Sequence, residues 1–333
     1  MLIDSFGRRI RYLRISVTDR CDLRCSYCMS ERQQFRPRAD LLTAAEICRL
    51  IDVAADLGFD TIRITGGEPL VRKDFPVIAE HIGHRIAAGA TISRFLITTN
   101  ATRLSRYAAF LHDCGVRRVN ISLDTLDPDR YGRITRRGTL QAALDGIAAA
   151  REAGLEVRLN CVVHRAYNAD PDSLDRLVRF AGDSGCDIAF IELMPIGPAA
   201  LAFGDAFCPV AEVRASLAQR WTLVPDRFRT NGPATYDHCG ETGQRIGFIA
   251  ANSCGFCSAC SRVRLTADGR LFPCVGDEGA VDVSHLLRGG AGDAEIAAAI
   301  VDAVNRKPLH NTFNDSAFTS SGRAARGMFV TGG

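Results

Sequence analysis

The stretch Ser16-Val17-Thr18-Asp19-Arg20-Cys21-Asp22-Leu23-Arg24-Cys25-Ser26-Tyr27-Cys28-Met29 places three cysteines as C-x3-C-x2-C directly after a short β-branched run. Three thiolates at this spacing can hold three irons of a [4Fe–4S] cube, which leaves the fourth iron open to a small molecule. A tetrahedral zinc site would need a fourth Cys or His close by, and none follows within the next dozen residues. The aromatic Tyr27 stands just before the last cysteine.

Outward from this loop, strand-like runs recur at Tyr12–Val17, Thr61–Thr65, Phe95–Thr99, Arg118–Leu123, Val157–Val163 and Ile188–Leu193. Helical patterns lie between them. Thr43-Ala44-Ala45-Glu46 reads as a capping box opening a helix to about Leu57, with Gly58 as its stop. Leu104–Cys114 before Gly115 and Leu140–Ala153 before Gly154 repeat the punctuation. Alternating strands and helices predict parallel βα units, closed either as an open doubly wound sheet or as a partial barrel. In both, functional groups gather at the C-terminal ends of the strands. There the chain carries the cysteine triad, Gly66-Gly67-Glu68-Pro69, Thr98-Thr99-Asn100, Ser122-Leu123-Asp124, Asn160 and Glu192-Leu193-Met194-Pro195. The pattern loosens after Pro195, Val210–Arg220 reads as one more helix, and the division expected is 1–220 and 221–333.

Of the 333 residues 47% are hydrophobic and 24% charged, the composition of an ordinary soluble globular protein. A net charge of +3 is too small to argue for nucleic acid as an obligate partner, and none is expected. No run approaches the roughly 18–20 apolar residues of a membrane span. Thirteen cysteines without a signal-peptide pattern in Met1–Arg9 predict a reducing, cytoplasmic setting. Only Lys73 and Lys307 are lysines, so almost every basic position is arginine.

Gly66-Gly67-Glu68-Pro69 follows a strand, where two glycines let the backbone approach a ligand and a carboxylate can accept bonds from an ammonium group. A second thiol group, Cys257-Ser258-Ala259-Cys260, is joined to Cys274 across the Asp268-Gly269 turn, which predicts a hairpin. Cys254 lies three residues upstream, so spacing alone leaves a closed zinc site and a second iron–sulfur cluster both open. Arg262 and Arg264, two apart on an extended segment, face one side and suit an anionic ligand.

With both cysteine groups in view, the chain resembles the GTP 3′,8-cyclases (the MoaA family), radical S-adenosylmethionine (AdoMet) enzymes that open molybdenum cofactor biosynthesis. The likeness runs from Phe6-Gly7-Arg8 through the cysteine loop to Gly332-Gly333. It implies an incomplete (β/α)6 TIM-like barrel, the radical SAM core, closed by a C-terminal domain with an auxiliary [4Fe–4S] cluster. Cys21, Cys25 and Cys28 would ligate the first cluster, and Cys257, Cys260 and Cys274 the second. Tyr27, Gly67, Ser122 and Met194 match AdoMet contacts. Arg14, Arg63, Thr98, Arg158, Arg262, Val263 and Arg264 match GTP contacts, Arg158 standing where lysine is usual.

The chemistry so implied begins with cleavage of AdoMet. The deoxyadenosyl radical takes hydrogen from C3′ of GTP, and the sugar radical attacks C8 of guanine. A low-potential electron donor, a homodimer and hand-over of product to the cyclic pyranopterin monophosphate synthase are implied with it. The chain departs from the family at Thr61 (usually lysine), Ala189 (usually arginine) and Ala101 (usually glycine after Thr-Thr-Asn). Loss of two charge-assisted phosphate contacts predicts triphosphate binding weaker by a hundredfold or more. Arg11, Arg165 and Arg245 are the candidates to compensate. A relative acting on another nucleotide or a peptide is the second reading, and a non-catalytic iron–sulfur sensor or scaffold the third. Cys48, Cys114, Cys161, Cys186, Cys208, Cys239 and Cys254 are expected as buried fillers.

Overall fold

A computed structural model describes residues 1–230, 232–253, 255–311, 313 and 326–332. Six strands, β1 (Tyr12–Ser16), β2 (Thr61–Thr65), β3 (Arg94–Thr99), β4 (Arg118–Ser122), β5 (Glu156–Val163) and β6 (Asp187–Glu192), lie side by side in chain order and pair in parallel. Helices α1 (Ala44–Asp56), α2 (Phe75–Ala87), α3 (Ala108–Asp113), α4 (Pro128–Thr135), α5 (Leu140–Glu152) and α6 (Pro171–Asp183) fill the crossovers. The strands β7 (Leu223–Asp226), β8 (Thr235–Cys239), β9 (Arg245–Ile249), β10 (Arg262–Leu265), β11 (Arg270–Phe272) and β12 (Val281–Asp282) extend the same sheet at both edges. β9 continues in parallel from β6, and β10 in parallel beside β1. The sheet ends in β12 and β7 and is open, as an incomplete barrel requires.

Local sequence explains most of this. Thr43 and Glu46 form the reciprocal capping box, and Gly58 takes the left-handed φ of 95° that ends the turn. α1 then buries Ile47, Leu50, Ile51 and Ala54 against the sheet, each large side chain contributing about 1.5–3 kcal/mol. The segment Leu104–Cys114 is broken into a 3-10 turn, Leu104–Arg106, and α3. Ala101 holds a φ of 65°, a left-handed conformation that strains an L residue by roughly 1–2 kcal/mol. Asp268-Gly269 folds β10 and β11 into an antiparallel pair, Arg264 opposite Phe272.

The strands alternate. Leu13 and Ile15, Ile62 and Ile64, Val119 and Ile121, and Leu159 and Cys161 face the helices and build the main core. Tyr12 and Arg14, Thr61 and Arg63, Asn120, and Arg158 and Asn160 face inward and line a cavity. Parallel strands packed on both faces are apolar throughout. These are apolar on one face only because the other surrounds a polar ligand site. Cys48, Cys114, Cys161, Cys186, Cys208 and Cys239 are buried fillers, and Cys254 lies outside the described residues.

Candidate active site

Cys21, Cys25 and Cys28 sit half-buried on the loop after β1. The Arg24 and Ser26 amides donate to the carbonyls of Thr135 and Ile134 at the end of α4, both at 2.9 Å, and the Arg24 guanidinium reaches back to the Cys21 carbonyl at 2.6 Å. Gly66 and Gly67 pack on this loop from β2. A Cβ on Gly66 would stand 2.7 Å from the Thr18 carbonyl, and one on Gly67 would collide with the Arg20 carbonyl. The donor set fits an iron–sulfur cube. Burial raises all three thiols, Cys28 to about 11, and Cys21 and Cys28 charge Cys25 further upward. Three thiolates gathered here therefore need a cationic partner such as iron.

Around this loop the strand ends are specific. The Tyr27 hydroxyl donates to Asp124 at 2.7 Å, and burial pushes Asp124 up to about 6. Ser122 ends β4 and is half-buried, and Met194 lines the cavity beyond β6. Glu68 is only 1% exposed and accepts from the Leu70 amide at 3.1 Å, the Thr99 hydroxyl at 2.8 Å and the Asn100 amide at 2.7 Å. Its carboxylate ties the glycine turn to β3.

At the opposite side Cys257, Cys260 and Cys274 line the same cavity. Burial alone would raise Cys260, but the charges of Arg262 and Lys307 outweigh it and hold the thiol at about 6, which suits a metal ligand. Among the described residues no three His, Cys, Asp or Glu side chains gather on a single ion position. A cube asks for less, because each thiolate meets a different iron. Cys254, which a closed zinc site would need, and Gly333 lie outside the described residues.

A cavity of about 410 Å3, within the usual span of ligand sites, is lined by Cys257, Cys260 and Cys274 and by Met194, while Cys21, Cys25, Cys28, Tyr27, Gly67 and Ser122 are not among its described lining residues. Arg264, Arg14 and Arg63 stand in register on β10, β1 and β2, one strand spacing of about 4.8 Å apart. Burial and the neighbouring Arg264 hold Arg14 well below the usual guanidinium range, a row of like charge that an anion would relieve. Arg63 bonds the Tyr12 hydroxyl and, at 3.1 Å, Thr98. Arg158 donates to Asn160 at 3.1 Å and Tyr236 at 2.8 Å. Arg264 reaches the carbonyls of Thr331 at 3.2 Å and Gly332 at 2.6 Å, so the chain's tail borders the site.

Thr98 stands behind Arg63 rather than on the wall, and Val263 is buried in the core on the far face of β10, so either could meet a ligand only indirectly or through backbone. Thr61 lines the cavity, while Ala189 packs in a small cluster with Tyr236 and Ile249. Arg11, Arg165 and Arg245 pair with Asp60, Glu212 and Asp226 at 2.8, 2.9 and 3.1 Å and do not line the cavity. The additional charges on the wall are instead Arg94, Arg117, Arg118, Arg229 and Lys307, with Glu156 the one carboxylate among the described lining residues. Of these, Arg94, Arg118 and Glu156 open strands β3, β4 and β5, whereas Arg117, Arg229 and Lys307 lie outside the strands and carry no periodic signal.

A family profile for the radical SAM superfamily matches residues 15–180, and one for Molybdenum Cofactor Synthesis C matches residues 186–313. The chain is 47% identical over 333 residues to a GTP 3′,8-cyclase of Paracoccus denitrificans, covering all of this chain and 96% of that one. It is 45% identical over 332 residues to a GTP 3′,8-cyclase of Mesorhizobium japonicum, covering 100% and 99%. Among solved structures, Streptococcus suis SuiB bound to precursor peptide SuiA superposes with a TM-score of 0.61 at 16% identity. That superposition covers 91% of this chain and 66% of that one, a likeness of fold.

Proposed function

The chain belongs to the GTP 3′,8-cyclase family of radical AdoMet enzymes, and from that premise we propose that its cavity holds GTP between two cysteine-bound [4Fe–4S] clusters. It is a lyase of molybdenum cofactor biosynthesis, converting GTP to (8S)-3′,8-cyclo-7,8-dihydroguanosine 5′-triphosphate with AdoMet. One observation carries the placement: a single cavity of about 410 Å3 is lined by Cys257, Cys260 and Cys274 together with a register of arginines on β10, β1 and β2.

Bound to Cys21, Cys25 and Cys28, a cluster supplies the electron that cleaves AdoMet. The protein's own share is placement. The Gly66-Gly67 turn, Tyr27, Ser122 and Met194 hold AdoMet at the strand ends. Arg14, Arg63, Arg158, Arg262 and Arg264 neutralise the triphosphate, with Thr98 fixing Arg63 from behind. Cys257, Cys260 and Cys274 would hold the second cluster on the cavity wall. The enclosing sheet excludes water from the ribose while the radical exists.

A low-potential electron donor, a homodimer, a cytoplasmic site of action and transfer of product to the cyclic pyranopterin monophosphate synthase complete the proposal, as does a division at 220/221. No described helix is long and apolar enough to cross a membrane. The test is anaerobic reconstitution with iron and sulfide, then dithionite, AdoMet and GTP, followed by chromatography of the nucleotides. A cyclised GTP and about eight irons per chain are expected. Deoxyadenosine released with GTP intact, or four irons with one zinc, would overturn it.

A further inference from the structure

The cavity has a second end, below the thiol sets, where β3 and β4 begin. Arg94, the first residue of β3, reaches its wall there, as do Arg117 and Arg118 at the start of β4, and Arg229. Three of these four are committed. Arg118 pairs with Asp187 at 3.0 Å, Arg117 donates to the His112 carbonyl at 3.0 Å, and Arg229 donates to the carbonyls of Asp226 and Phe228 at 3.0 and 2.9 Å. The inner arginines Arg63, Arg158 and Arg264 are likewise held by Thr98, Tyr236 and Gly332. The Arg94 guanidinium meets no carboxylate, carbonyl or hydroxyl among the described residues.

Its place in the sheet is defined. Arg94 is the register partner of Thr61, and Leu96 that of Arg63. Arg94 therefore stands two strand residues, roughly 6.6 Å, below the Arg63 layer and on the same inward face. Thr61 beside it is buried and uncharged, its hydroxyl donating to Asp60 at 2.8 Å. An anion that runs down the cavity past Arg14 and Arg63 next meets Arg94.

We propose that Arg94 holds the terminal phosphate of the nucleotide and thereby makes this cavity select a triphosphate over a diphosphate. The inference rests on the placement of GTP in the cavity given above. Arg94 supplies a cation at the height of the uncharged Thr61, its register partner on the neighbouring strand.

Anaerobic equilibrium binding of GTP and GDP to the reconstituted enzyme, without reductant, tests it. Arg94→Ser is expected to weaken GTP about 10- to 100-fold and to leave GDP within about twofold. Arg94→Lys should keep most of the preference. The double variant Arg94→Ser/Thr61→Lys should restore it, because a lysine on β2 reaches the same phosphate. Arg94 is exposed at a strand end, so its loss leaves the core intact. Equal losses for GTP and GDP, or no loss with GTP, would overturn the assignment while the GTP reading stands. A wild-type enzyme that binds neither nucleotide overturns both.

Discussion

Replacing Lys307 with methionine asks whether the C-terminal cysteine set is held from behind by a buried cation. Lys307 is 3% exposed, and its ammonium donates to the carbonyls of Arg262 at 2.8 Å and Pro273 at 2.6 Å. Arg262 lies two residues after Cys260 and Pro273 immediately before Cys274, so one cation ties together the two segments that present these thiols. Arg8 does the same for the third, donating to the Cys257 carbonyl at 2.8 Å while paired with Asp4. Hydrogen bonds to a charged donor contribute about 1.5–3 kcal/mol each, so two give roughly 3–6 kcal/mol. Relief of the buried ammonium's desolvation offsets part, and methionine fills the same volume. A net loss of about 2–4 kcal/mol is expected, lowering Tm by roughly 3–6 °C. The assay is anaerobic thermal unfolding with iron counting. Lys307→Met should retain about four irons, Lys307→Arg close to eight. A methionine variant with its full iron complement and unchanged Tm would refute the reasoning.

Three further perturbations follow from the same contacts. Arg158→Met removes one guanidinium from the cavity wall and should raise KM for GTP about 10- to 100-fold, while AdoMet binding measured without GTP stays unchanged. Tyr27→Phe leaves the buried Asp124 with only the Val162 amide as donor and should lower stability by about 1–3 kcal/mol in a denaturant titration at pH 7.5. Unchanged midpoints would contradict the Asp124 contact. Burial raises Glu68 from 4.5 to about 7, so between those values the folded state binds more protons than the unfolded chain. Stability therefore falls as pH rises through that window, by up to about 1.4 kcal/mol per pH unit. Glu68→Gln should flatten this slope in melts from pH 5 to 7.5, and parallel curves for variant and wild type would sink the assignment.

What could be read from the chain alone follows from how local each signal is. The six barrel strands and the cap at Thr43 depend on neighbours a few residues away, and the structure places them within a residue of expectation. The Asp268-Gly269 hairpin is equally local. The anchoring of Glu68 is not legible locally, because its partners, Thr99 and Asn100, come from the next βα unit and meet it only once β2 and β3 are paired. Val263 was open to a better reading, since a period of two sets it opposite Arg262 and Arg264. Arg8 and Lys307 act on carbonyls far away in sequence, and only the retention of a lysine in an arginine-rich chain hinted at the second.

The same distinction separates the two halves of the function. The proposed site of radical generation is compact in sequence: three cysteines and a glycine turn make it up, and a change at any of them is visible in a short motif. Substrate choice is spread across strand register, where Thr61 and Arg94, 33 positions apart, are neighbours. A cation on one strand can therefore serve an uncharged neighbour on the next, and one uncharged position such as Thr61 says little about affinity by itself. The relevant unit is the layer of inward side chains at one height in the barrel. By that measure the layer of Thr61 and Tyr12 is still cationic, through Arg94 on one side and Arg262 on the other, and the hundredfold weakening expected from Thr61 and Ala189 shrinks accordingly.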